Sequence, residues 1–213
     1  MNLFIIGDVH GCYHTFRSLL QYWEPEHEVL IQLGDLIDRG NYVPETIQLA
    51  RELQQKHSNI VFLKGNHEGL AIEYFDHNSG NWYERFGKKV LWQYQLKERD
   101  VKADMDWFKQ MPLYWENENI FVSHAGISNS PHCMDEQSRE GILWNRDALK
   151  NTGKLQVIGH TPQKKAIYTE ASNSWNIDTG AYMGKKLTGI KLKPNGEFIE
   201  LISIPTTAAD VDN

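Results

Sequence analysis

Residues 29–40 read Val29-Leu30-Ile31-Gln32-Leu33-Gly34-Asp35-Leu36-Ile37-Asp38-Arg39-Gly40, and the fold turns on how they are understood. The first five form a mostly apolar run, short enough for a buried strand and stopped by a glycine. Two carboxylates and a guanidinium then fall within five residues, between Gly34 and Gly40. A charge at the end of a buried strand is costly unless it is paired or binds a metal. Taken alone, the stretch reads equally well as a solvated turn with an incidental arginine.

The rest of the chain separates the two readings, because the same grammar recurs on either side. Leu3-Phe4-Ile5-Ile6 is an apolar run ending in Gly7-Asp8-Val9-His10-Gly11, and Ile60-Val61-Phe62-Leu63 ends in Lys64-Gly65-Asn66-His67-Glu68. Between these runs, Phe16, Leu19, Leu20 and Trp23 predict a helix over 12–23. Val43, Ile47, Ala50 and Leu53 predict another over 42–56, with Pro44 tolerated in its first turn. The order β-α-β-α-β implies an α/β protein, a parallel sheet flanked by helices. In such sheets ligands bind at the carboxyl ends of the strands, so three polar turns on one edge point to a shared site.

Residues 69–111 are helical in pattern and rich in aromatics, from Tyr74 to Phe108, suiting either a lid or the flank of the core. Residues 113–116 and 119–123 predict a hairpin ending in Ser123-His124-Ala125-Gly126, followed by a polar loop over 127–141. The strand 155–158 ends in Gly159-His160-Thr161-Pro162. Segments 165–170, 174–178, 186–192 and 197–202 are expected to be antiparallel strands, with Pro194-Asn195-Gly196 as a hairpin turn. Residues 1–204 are expected to form one catalytic domain of sheets and helices, and 205–213 a frayed, acidic tail.

The bulk properties exclude several classes. With 213 residues and 40% hydrophobic composition there is ample material for one core. The net charge of −6 argues against a general nucleic-acid binder, whose footprint is basic. Two cysteines, Cys12 and Cys133, form no metal-binding or disulfide framework. No apolar run approaches membrane-spanning length and no signal-like segment opens the chain, so a cytoplasmic protein with no membrane partner is expected.

Five strand ends therefore carry metal-type ligands: Asp8 and His10, Asp35, Asn66 and His67, His124, and His160. Each has a plainer reading alone. A strand-end histidine is usually a hydrogen-bonded structural group, Asn66 could form a turn, and Asp8 or Cys12 could cap a helix. Together they suit Mn²⁺, Zn²⁺ or iron, and two ions sharing a bridging carboxylate would use six ligands. Such a pair activates a water and clamps the oxygens of a phosphoryl centre.

The segments Gly7 to Gly11, Gly34 to Gly40, Gly65 to Glu68, His124-Ala125-Gly126 and Gly159-His160 resemble the calcineurin-like metallophosphoesterases. Among these the chain looks most like the phosphoprotein phosphatases. Leu143-Trp144-Asn145-Arg146 and Ile177-Asp178-Thr179-Gly180-Ala181 are similar to the small phage and bacterial members. The resemblance implies a metallophosphoesterase fold and serine/threonine phosphatase activity on a phosphorylated protein or peptide, with two divalent ions, Mn²⁺ first among them; a monomer is the default expectation. It implies that Asp8, His10 and Asp35 hold one ion, and that Asp35 bridges to a second held by Asn66, His124 and His160. His67 would be the general acid, oriented by Asp38. Arg39 and Arg146, with Asn66, would bind the phosphate.

The alternative within the fold is a symmetrical diadenosine tetraphosphate hydrolase, whose signature also begins Gly-Asp-Val-His-Gly-Cys-Tyr. Such hydrolases typically carry Ala at the position of Asp38 and Asp at that of Glu68. An alkoxide is a poor leaving group and needs its proton, whereas a nucleotide anhydride leaves readily. Asp38 is thus the residue that separates the two activities.

Overall fold

A computed structural model describes residues 1–212 of the chain. Its first sheet runs through β1 (Asn2–Ile6), β2 (Glu28–Gln32) and β3 (Ile60–Phe62), all parallel. On the other side of β1 lies β9 (Lys186–Leu192), antiparallel to it and to β10 (Phe198–Pro205), giving the order β10-β9-β1-β2-β3. The second sheet has the order β4-β5-β6-β8-β7. It contains β4 (Tyr114–Glu116), β5 (Ile120–Ser123), β6 (Leu155–Ile158), β7 (Ile167–Thr169) and β8 (Ser174–Asn176).

Strand alternation distributes the apolar runs between two cores. Leu3, Ile5, Ile31 and Leu33 pack against Ile120, Val122, Leu155, Val157 and Ile177, joining the two sheets face to face. Phe4, Ile6, Leu30 and Phe62 face the other way, into the helices. Both faces of β1 and β2 are therefore buried, which is why these strands read as continuous apolar runs. The helical layer comprises α1 (Tyr13–Leu20), α2 (Val43–Lys56), α3 (Asn66–His77), α4 (Lys88–Leu96) and α5 (Val101–Lys109). Pro44 sits in the first turn of α2, where its missing N–H removes no helical bond.

The aromatic segment contributes α3, a π-turn at Tyr83–Gly87, α4 and α5. Most of its rings pack the flank of the core, including Trp82, Tyr94 and Phe108.

Two expectations are corrected. The expected antiparallel pairing of segments 165–170 and 174–178 is present between β7 and β8, but β8 is not purely antiparallel, since it also pairs parallel to β6. Six strands, β1, β2, β3, β5, β6 and β8, thus deliver their carboxyl ends to one edge. Nor do residues 205–212 behave as a frayed tail. Pro205 closes β10, the Thr206 N–H donates to the Lys185 carbonyl, and Asp210 is fully buried. The Asp210 carboxylate accepts from the backbone N–H groups of His14 and Thr15 and from the Thr15 hydroxyl. It thereby caps α1, the job considered for Asp8 or Cys12; Cys12 occupies the cap position without a side-chain bond to the helix.

Candidate active site

The loops after the six parallel strands turn sharply, and the turning is done by the candidate site residues themselves. His10, Asp35, Asp38, Arg39 and His160 all have positive φ, five of the eight non-glycine residues that do so among those described. Residues held in this sparsely populated region cluster at functional sites, because each costs about 1–3 kcal/mol and must be held by its surroundings. Two glycines give the carboxylates room: a Cβ at Gly65 would collide with the Asp35 carboxylate, and one at Gly159 with that of Asp8.

The holding element is Glu68 in the first turn of α3. It is fully buried. One carboxylate oxygen accepts from the N–H groups of Asp35 and Gly65, each at 2.8 Å. The other accepts from Leu36 at 2.8 Å and Ile37 at 3.2 Å. Four backbone donors on one carboxylate clamp the 35–37 turn onto the helix N-terminus. The helix dipole favours a negative charge there as well.

Asp35 stands at the centre. One of its oxygens lies 3.3 Å from His10 Nε2, the other 3.5 Å from His124 Nε2. In both histidines the opposite ring nitrogen, Nδ1, lies 2.8 Å from a backbone carbonyl, of Ile37 and Leu33 respectively. A carbonyl only accepts, so Nδ1 carries the proton and each Nε2 lone pair faces Asp35. Asn66 Oδ1, His124 Nε2 and His160 Nδ1 form a triangle with sides of 2.9, 2.9 and 3.1 Å. Ligand atoms about 2.1 Å from one cation, mutually adjacent, sit about 3 Å apart, so this triangle suits a single ion. Asp8 accepts from the His160 N–H on one oxygen, while its other oxygen is buried with no hydrogen-bond partner.

Two ligand groups share Asp35: His10 with Asp35 and His67, and Asp8 with Asp35 and His124. The grouping differs in detail from the expected sets, since it puts His67 beside His10. His67 has a separate engagement, however. Its Nδ1 is hydrogen-bonded to Asp38 Oδ2, and its Nε2 lies 3.3 Å from an Arg39 amino group. Asp38 in turn accepts from Trp82 Nε1 at 3.0 and 3.2 Å.

Electrostatically the site is a cluster of charges in need of counter-charge. Burial, then the neighbouring Asp178 and Asp35, push the Asp8 carboxyl well above its usual range. Burial raises both Asp35 and Asp178 to about 6. The imidazoles move oppositely: burial lowers His67 and His124 to about 4 and, with the help of His124, His160 to about 2. Unprotonated imidazoles beside carboxylates that resist ionisation are what a cation-binding site presents. The donor set of carboxylate, imidazole and amide oxygen, with an unpartnered Asp8 oxygen, fits divalent cations.

The remaining expected residues lie at the rim. Arg39 is sandwiched, its guanidinium carbon 4.1 Å from the Tyr182 ring centroid and 5.2 Å from that of Phe86. Its Nε is buried without a partner. Arg146 is exposed and donates to the Thr161 hydroxyl at 3.2 Å, outside the buried cluster.

Four contributors were given no role in the site from the sequence: Glu68, Trp82, Asp178 and Tyr182. Asp178 follows β8 as Asp8 follows β1, so the strand-end grammar would have found it had the direction of β8 been known. Tyr182 lies 4.9 Å from His10, ring to ring, in a one-turn 3₁₀ helix that no periodicity marks.

The model of the calcineurin-like phosphoesterase family matches residues 1–188. Serine/threonine-protein phosphatase 2 of Escherichia coli is 30% identical, the match covering 90% of this chain and 93% of that protein. An asymmetrical bis(5'-nucleosyl)-tetraphosphatase, PrpE of Anoxybacillus flavithermus, is 28% identical over 95% of this chain and 94% of its own length. This nucleotide-hydrolase relative is named as asymmetrical, whereas the alternative weighed from the sequence was the symmetrical hydrolase. The crystal structure of a cold-active protein-tyrosine phosphatase from Shewanella superposes with a TM-score of 0.65 at 16% identity. That match covers 97% of this chain and 80% of the other, and it shows the shared fold.

Proposed function

From the premise that the chain belongs to the calcineurin-like phosphoesterases, and so is a metallophosphatase, we propose that it is a serine/threonine protein phosphatase. The observation that carries this is the buried Asp38–His67 pair. Hydrolysis of a phosphoserine ester expels an alkoxide, which needs a proton as it leaves. His67 Nδ1 is occupied by Asp38, so Nε2 faces the site and can deliver that proton. Burial, with the Arg39 charge beside it, keeps His67 neutral, at about 4, but a phosphate dianion arriving there favours its charged form.

Asp8, His10, Asp35, Asn66, His124 and His160 would hold two divalent cations, Mn²⁺ by preference, with Asp35 shared. Bound there, the cations would supply water activation and neutralise the phosphoryl oxygens. Arg39 would offer its partnerless Nε–H to a phosphate oxygen, pre-oriented by Tyr182 and Phe86. Arg146 would close over the same group from the rim.

The second reading, dinucleotide hydrolysis, is favoured by relatives that match along nearly their whole length. The two are separated by comparing kcat/KM for a phosphoserine peptide, a phosphotyrosine peptide and diadenosine tetraphosphate at saturating Mn²⁺. A preference for the phosphoserine peptide is expected. A clear preference for the dinucleotide would replace this reading with the second.

A further inference from the structure

Trp82 immediately precedes the π-turn Tyr83–Gly87 and is fully buried. A buried indole N–H seeks an acceptor, and usually a backbone carbonyl will serve. Here it spans both oxygens of Asp38, at 3.0 and 3.2 Å, across 44 residues of sequence. The other side-chain hydrogen bond to Asp38 comes from His67 Nδ1. The carboxylate is therefore fixed between two donors, one structural and one chemical.

The seat of the indole is itself built for the purpose. A Cβ at Gly87 would lie 2.7 Å from the six-membered ring of Trp82, so only glycine admits the ring in this position. Tyr74 and Phe75 pack its other sides at 5.4 and 5.9 Å between ring centroids. The same turn sends Phe86 against His67, 4.7 Å between centroids. π-turns within helices occur often at functional sites, and this one carries two contacts into the acid pair.

We propose that Trp82 is a positioning residue of the phosphatase reaction, its indole N–H fixing the Asp38 carboxylate against His67 Nδ1 so that Nε2 is aimed at the leaving oxygen. The proposal rests on the reading of His67 as the acid. In the step concerned, water forms the new bond to phosphorus and the ester P–O bond breaks. The departing oxygen takes the bonding pair and the proton from Nε2. One water proton stays on the product phosphate, and the other, released to solvent, reloads His67.

The test uses the full chain with Mn²⁺ and two substrates of unlike leaving group, a phosphoserine peptide and p-nitrophenyl phosphate. Nitrophenolate leaves without help, so it barely senses the acid. W82F is expected to lower kcat on the peptide by about 10- to 100-fold, a part of the usual contribution of general acid catalysis, with little change on the nitrophenyl ester. KM should be unchanged, and W82F added to D38N should cause no further loss. G87A, which displaces the ring without removing it, should show the same selectivity and serves if W82F does not fold. Equal losses on both substrates, or none, while D38N remains selective, would overturn the role of Trp82 alone. A D38N variant that lacks selectivity would overturn the acid reading and this proposal with it.

Discussion

Glu68→Gln is a small change in shape with a large expected consequence. The carboxylate accepts four buried backbone N–H groups, two on each oxygen. Turned either way, the amide replaces one oxygen by an NH₂ group that faces two donors, either Asp35 and Gly65 or Leu36 and Ile37. Each orphaned buried donor costs about 1–3 kcal/mol, so the substitution should cost about 2–6 kcal/mol before relaxation. Set against a typical stability of about 5–15 kcal/mol, that is a severe loss. The loop it releases carries Asp35 and its positive φ, so metal affinity should fall together with stability. Glu68→Asp, one methylene shorter, should lie between. Urea unfolding of the Mn²⁺-loaded protein, with metal stoichiometry measured alongside, reads both effects. A Gln variant within about 1 kcal/mol of the parent, with full metal content, would refute the idea that this carboxylate clamps the turn.

Asp35→Asn should weaken two metal equivalents together, since its two oxygens face His10 and His124 separately; titration calorimetry showing loss of a single equivalent would contradict a shared ligand. In the metal-free protein the contribution of Asp35 and Asp178 to stability should fall as pH rises from about 4 through 6, because folding holds both at about 6 while the unfolded chain leaves them near the ordinary value of about 3.9; His67, His124 and His160, held at about 4 or below, contribute in the opposite direction over the same range. Folded-state pKa values raised in this way make the folded state the better proton binder below about 6, and that advantage disappears above it. Because Asp35 must give up its proton to bind a cation, the Tm increment from saturating Mn²⁺ should be larger at pH 7.5 than at pH 5, and an equal or smaller increment would count against Asp35 as a ligand. Asp210→Ala removes the cap of α1 and should cost at least about 0.5–2 kcal/mol, read as a lower urea midpoint at unchanged slope.

What was legible follows from where side chains are buried. The strands β1, β2 and β3 are apolar on both faces because a sheet covers one and helices the other, so their ends, and Asp8, His10, Asp35, Asn66 and His67 after them, stand out from the sequence. The strand β8 is three residues, Ser174-Trp175-Asn176, half-buried in part and with no apolar run to declare its direction. Its pairing parallel to β6 is a long-range fact, and the place of Asp178 at the shared strand edge went unread with it, although its motif is recognisable. The same holds for the cap of α1, which arrives from Asp210, almost two hundred residues downstream. Trp82 is the sharpest case. An aromatic in a helical pattern looks the same whether its N–H meets a backbone carbonyl or the buried Asp38 carboxylate, and only the fold decides.

The arrangement around Asp38 also bears on substrate. This carboxylate is fully buried, sits at φ 71°, and is pushed well above the usual carboxylate range by burial. Arg39 beside it is at φ 66°. Positive φ at two successive non-glycine residues costs about 1–3 kcal/mol each, and a buried carboxylate adds to that. Against these costs stand the bifurcated hydrogen bond from Trp82, the bond to His67 and the clamp of Glu68 on the preceding turn. A site that cleaved only anhydrides, whose leaving groups depart as stable anions, would gain little from so elaborate a hold on one imidazole. A site that expels serine or threonine alkoxides would gain a large part of its rate from it. Under the proposed function, phosphomonoester chemistry would account for the cost of Asp38. On the same argument, a chain of this family with Ala in its place should retain the metal ligands and lose selectivity for poor leaving groups.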